Sequence, residues 1–72
     1  MTLTPDPRYA GWMGRALALA EQAAAVGDVP VGALVVGSDG EVLGEGWNVR
    51  EAVGDPTGHA EVVALRAASA RL

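Results

Sequence analysis

The one histidine of the chain, His59, stands two residues before Glu61 in the stretch DPTGHAEVVALRA, residues 55–67. An imidazole and a carboxylate this close can do joint chemistry. Neutral imidazole binds metal ions, and a carboxylate beside a metal's bound water can carry protons to and from it. The loop GDPTG delivers the chain to a helix that begins at about His59. Residues two apart differ in direction by roughly 200° around a helix axis, so the pair shares no face. Cα–Cβ bonds tilt toward the helix N-terminus, however, so two first-turn side chains can flank one point just off the helix end. The same residues also fit a plain helix start. Glu61 is then a first-turn acid favoured by the helix dipole and reaching back toward Gly58 as in a capping box, and His59 is a surface or half-buried histidine.

The elements that must position this pair are legible in the pattern. DPRYAGWMGRALALAEQAAAVGD reads as a helix, with Asp6 as N-cap, Pro7 at the first helical position and Gly27 as terminator. Tyr9, Trp12, Ala16, Leu19 or Ala20, and Ala23 fall on one face, and Arg15, Glu21 and Gln22 supply much of the other. Gly11 and Gly14 weaken it by about 1 kcal/mol each relative to alanine. VPVGALVVGSDGEVLGEGWN reads as a β-hairpin. Val31 to Val36 is a near-continuous apolar run, as in a strand covered on both faces. Asp39-Gly40 marks the turn, and Glu41 to Trp47 alternates as a strand nearer an edge. NVREAVGDPTG is a loop. HAEVVALRAASARL is a second helix with Val62, Leu65, Ser69 and Leu72 along one stripe and Val63, Ala67 and Ala70 along another. A hairpin alone is marginal in water, and its first strand wants a neighbour on its other side. Helix, strand, strand, helix therefore reads as an unfinished α/β fold.

Seventy-two residues make one small domain at most. Half are hydrophobic, but 14 of those are alanine, with no Phe and no Ile. The core is thin, and with no cysteine there is no disulfide to reinforce it. Absence of cysteine suits a reducing compartment. No apolar run reaches the roughly 20 residues of a membrane span, and no signal-peptide pattern opens the chain, so a cytoplasmic location with no membrane partner is the expectation. The net charge is −4, from five Arg, no Lys and nine acids. These residues alone are poor phosphate binders, so any RNA-binding surface draws its cations from elsewhere.

Three blocks, VPVGALVV, GEGWN and DPTGHAEVVALR, occur in this order and spacing. Together they resemble the N-terminal half of the zinc-dependent nucleoside deaminases, and within them the bacterial tRNA adenosine deaminases. The resemblance runs from about Tyr9 to Arg66. It implies the three-layer α/β/α cytidine-deaminase-like fold and conversion of adenosine to inosine in tRNA, or in single-stranded nucleic acid generally. The family carries H-x-E followed later by P-C-x-x-C: the histidine and two cysteines hold Zn²⁺, and the glutamate moves a proton from water to the base. By matching position, His59 is the implied zinc ligand and Glu61 the implied catalytic proton shuttle. Asn48, after Trp47 in GWN, matches the asparagine that binds the flipped nucleoside, and Val29 and Pro30 match positions near the base pocket. Each also has a plainer role open to it: Asn48 as a cap of the following loop, Val29 and Pro30 as strand-entry residues, Trp47 as packing.

The chain departs from the pattern in having no P-C-x-x-C segment. A catalytic zinc site normally has three protein ligands, and one is offered here. Residues 1–72 thus read as the front part of one deaminase domain, active with a complementing C-terminal half that brings the cysteines, in a possible homodimer. The alternatives are a non-catalytic truncated or scaffold fragment, and a cytosine-type deaminase half.

Overall fold

The computed structural model describes residues 6–50, 54 and 57–72. Helix α1 spans Tyr9–Ala25, strand β1 Gly32–Val36, strand β2 Val42–Trp47 and helix α2 Ala60–Arg71. This is the α/β order the periodicity predicts. Parts of the loop before α2, Asp55 among them, lie outside the described residues.

Regular helix begins at Tyr9, with Arg8 rather than Asp6 at the cap position. Asp6 acts one turn earlier: its carboxylate accepts the Arg8 N–H at 2.8 Å, and its carbonyl accepts the Tyr9 N–H at 2.9 Å. The helix ends as expected at Gly27, whose φ of 82° suits a residue without Cβ. There the Asp28 N–H donates to Ala23 O and the Gly27 N–H to Ala24 O, the two bonds of a Schellman cap. The inward face is Leu19 and Ala23, with Trp12, Ala16 and Ala20 half-buried; Tyr9 is exposed, so the predicted stripe starts one turn too early.

β1 and β2 pair antiparallel, Gly32 opposite Trp47 and Ala33 opposite Gly46, with a bulge between Val35 and Val36. The connection is a Ser38-Asp39-Gly40 loop. Gly40 N–H donates to Gly37 O, the Asp39 carboxylate accepts the Glu41 N–H, and Gly40 has φ 88°. A tight turn closed by a left-handed glycine is a common three-residue hairpin loop.

Successive residues of a strand face opposite sides, and this separates the helices. A Cβ on Gly32 would meet Ala20 N and Leu19 of α1, whereas one on Gly46 would meet Ala60 O and Ala64 N of α2. Gly46 pairs with Ala33, the neighbour of Gly32, so α1 and α2 cover opposite faces and do not touch each other. The result is a helix–sheet–helix sandwich. β1 has a helix over each face, as its apolar run predicts.

The buried stripe of α2 is Ala60, Ala64 and Ala68. This corrects the expectation of a Val62–Leu65–Leu72 face: Leu65 is 56% exposed and Leu72 90%. The reason lies on β2. A Cβ on Gly44 would stand 2.6 Å from Ala68 N, and one on Gly46 would stand 2.6 Å from Ala60 O. The sheet offers bare backbone, and only the alanine stripe lets the helix approach it. Arg15 of α1 pairs with Glu45 of β2, and Arg71 of α2 donates to Val42 O at 2.8 Å and to the Glu41 carboxylate at 2.9 Å. These exposed ties add little stability individually. Among the described residues no helix is long and apolar enough to cross a membrane.

Gly44→Ala and Gly46→Ala should each destabilise the protein by about 1–3 kcal/mol through overpacking. Gly11→Ala, where nothing lies within 4 Å, should stabilise by about 0.5–1 kcal/mol; urea midpoints check both signs. The Arg8 guanidinium hydrogen-bonded to Asp6 lowers that carboxyl to about 2. The folded value lies below the ordinary ~3.9, so this contribution is complete above about pH 4 and lost as pH falls through 2. An NMR titration of Asp6 should show that midpoint, and Arg8→Ala should return it toward the ordinary value.

Candidate active site

Where β1 begins and β2 ends, three segments are tied together by backbone bonds. Asn48, the residue after β2, donates its N–H to Val31 O at 3.1 Å, and Val49 donates to Gly58 O at 2.8 Å. The first bond joins the β2 exit to the β1 entrance, and the second joins it to the entrance of α2. The approach at Gly58 is close: a Cβ there would lie 2.9 Å from Val49 Cγ2 and 3.0 Å from Val49 C. Glycine at 58 is therefore part of what brings the start of α2 to the sheet.

His59 is the N-cap residue of α2, extended at φ −72°, ψ 144°, and its carbonyl accepts the Val63 N–H at 3.0 Å. Its side chain makes no cap hydrogen bond. The cap comes from outside the helix: the Asn48 carboxamide oxygen accepts the Ala60 N–H at 2.8 Å. Asn48 is 5% exposed and Ala60 fully buried, so this is a dry bond between two packed elements, and an unpaired N–H here would be costly. Asn48 does cap, then, but it caps the helix that carries the candidate site, not the loop next to it. The available signal was a helix start with histidine where Ser, Thr, Asp or Asn usually stands.

Glu61 occupies the first turn with its carboxylate 4.0 Å from His59 Nδ1, too far for a hydrogen bond. The imidazole is 45% exposed and the carboxylate 64%. With His59 at N-cap, Glu61 is the second helical residue and not the third, which a capping box requires. Both side chains thus stand at the helix end, free of capping duty, on the solvent side.

Val29 and Pro30 are exposed and lie at the same end of the sheet. The Val31 N–H donates to Val29 O at 2.9 Å, folding the chain sharply at Pro30, and buried Asp28 accepts the Val29 N–H. Through Val31 this turn is bonded to Asn48. The fold thus brings His59, Glu61 and Asn48 to one helix end, with Val29 and Pro30 at the adjoining strand entrance. Trp47, half-buried, closes β2 opposite Gly32.

His59 supplies one imidazole that fits a ligand position. No group of three or more His, Cys, Asp or Glu side chains able to hold a metal occurs among the described residues. They do not amount to a zinc centre by themselves.

A family model for the cytidine and deoxycytidylate deaminase zinc-binding region matches residues 8–71. The chain is 54% identical over 70 residues to the tRNA(Ile)-lysidine synthase of Deinococcus radiodurans, covering 97% of this chain and 12% of that protein. It is 50% identical over 54 residues to the tRNA-specific adenosine deaminase of Haemophilus influenzae (75% of this chain, 31% of that one). It is 44% identical over 57 residues to that of Aquifex aeolicus (79% and 37%). The chain spans about a third of these two deaminases and about an eighth of the synthase. With the matched region running nearly end to end and covering every element of the sandwich, the chain belongs to the cytidine and deoxycytidylate deaminase family.

Proposed function

We propose that these residues are the N-terminal part of a hydrolytic deaminase domain that converts adenosine to inosine in tRNA. The observation that carries the reading is the exposed His59–Glu61 pair at the start of a helix whose cap is provided by another residue. Support for tRNA as substrate comes from the three relatives named above, each of whose names refers to an enzyme of tRNA. Support for adenosine over cytosine comes from the deaminases among them.

In this reading His59 is one zinc ligand, and the cysteines of the P-C-x-x-C segment come from a complementing C-terminal part of the domain. The outward apolar side chains Met13, Leu17 and Leu65 suit packing against such a part. Zinc, when bound, would acidify a water. Glu61 takes a proton from the attacking water and delivers it to the purine ring as the water oxygen bonds to C6. Glu61 then carries the proton of the new C6 hydroxyl to the amino nitrogen, the C6–N bond breaks, and the amino group leaves as ammonia. Asn48, Val29 and Pro30 stand on the substrate side of the same sheet end.

Glu61→Gln is nearly isosteric and, at an exposed first-turn position, should shift stability by well under about 1 kcal/mol. In the complete zinc-loaded protein it should lower inosine formation in an RNA hairpin by about 10²- to 10⁴-fold. Near-normal turnover at matched zinc content would remove the catalytic role. Residues 1–72 on their own, with one imidazole and no thiolate, should not take up Zn²⁺ stoichiometrically at micromolar concentration. Titration against a chromophoric chelator checks this, and tight one-to-one uptake would contradict the ligand assignment.

A further inference from the structure

A helix start usually caps itself, because the side chain at N-cap folds back onto the N–H groups of the first turn. At α2 that position is His59, which makes no such bond. The first helical N–H, that of Ala60, is bound instead by the side chain of Asn48, twelve residues before it at the end of β2. The Asn48 backbone is itself held, its N–H donating to Val31 O, and its neighbour Val49 is bonded to Gly58 O. A side chain fixed at its root and buried at its tip thus grips the first helical residue of α2, which lies between His59 and Glu61 in the chain.

We infer that Asn48 is a positioning residue: its carboxamide oxygen holds the first turn of α2, and so sets where the His59 imidazole and Glu61 carboxylate stand. This rests on the deaminase reading above and deepens it. The oxygen is committed to Ala60, so the positioning role belongs to the acceptor end of the carboxamide. Any contact with substrate belongs to its NH₂ end. The division gives a chemical handle: aspartate keeps an acceptor in the same place and has no donor, whereas alanine keeps neither.

The test uses the complete zinc-loaded protein with Asn48→Ala and Asn48→Asp. Two readouts are taken: hydrogen exchange at the Ala60 amide, and steady-state deamination of an RNA hairpin resolved into kcat and KM. In Asn48→Ala the Ala60 amide should exchange about five- to tenfold faster, as for a lost cap. kcat should fall by about 10²-fold, the scale of a small misplacement of reacting groups. Asn48→Asp should restore Ala60 protection and most of kcat, leaving the loss of the donor in KM. A contribution to fold stability alone would not move kcat at temperatures well below the unfolding midpoint. Unchanged Ala60 exchange in Asn48→Ala overturns the inference. So does a kcat in Asn48→Asp as low as in Asn48→Ala, because the donor would then be what matters. If Asn48→Ala does not fold, Asn48→Asp decides alone: protection with substantial kcat supports the role, and loss of either overturns it. The exchange arm needs no substrate, so absence of deamination in the parent protein would sink the deaminase reading separately.

Discussion

The constraint on which the site depends is the contact of α2 with β2, where helix backbone meets strand backbone with almost no side chain between. Gly44 and Gly46 on the strand face Ala60, Ala64 and Ala68 on the helix. Glycine inside a strand costs conformational entropy and is found where another backbone approaches closely. Alanine is the best helix former and presents one methyl group. Together they fix the height of the helix over the sheet and its rotation, since only one stripe of α2 is small enough to face the glycines. The rotation then decides that Leu65 looks outward, and the height decides that Asn48 can reach the Ala60 N–H.

This arrangement also explains a composition that at first looks unfavourable. Among the described residues the only large side chain that is fully buried is Leu19, between α1 and the sheet. Hydrophobic stabilisation scales with apolar area removed from water, at about 25 cal/mol per Å², and alanines contribute little area each. The described residues gain precision where they lack bulk: close backbone approach at Gly44 and Gly46 under α2 and at Gly32 under α1, and ion pairs at the margins.

The order and type of the elements were legible because each carries its own local signal. The Gly27 terminator, the Asp39-Gly40 turn and the apolar run of β1 are short-range chemistry, and each appears within a residue or so of its expected place. The buried face of α2 was not legible in the same way. Hydrophobicity favours Val62, Leu65 and Leu72, and the choice of the alanine stripe depends on two glycines fourteen or more residues away. Asn48 shows the same limit. Its residue type announces a capping or binding role, but the recipient of its hydrogen bond lies twelve residues on and is set by tertiary structure. The His59–Glu61 pair was visible as a motif; that neither side chain caps the helix follows from where α2 begins, which the tertiary contact of Asn48 with Ala60 helps to set.

The site that results is fixed in geometry and incomplete in environment. The bonds at Val31, Gly58 and Ala60 determine where the imidazole and carboxylate begin, yet both groups remain roughly half or more exposed. Acid–base and electrostatic catalysis gain strength when water is excluded and the local dielectric falls. On the reading proposed here, these residues therefore contribute position, and the enclosure must come from the substrate and from the complementing part of the domain. That division fits the physical means at hand. A sheet edge and a helix start can hold two side chains in place with a few backbone bonds, but among the described residues nothing encloses them, and the imidazole stays 45% and the carboxylate 64% exposed.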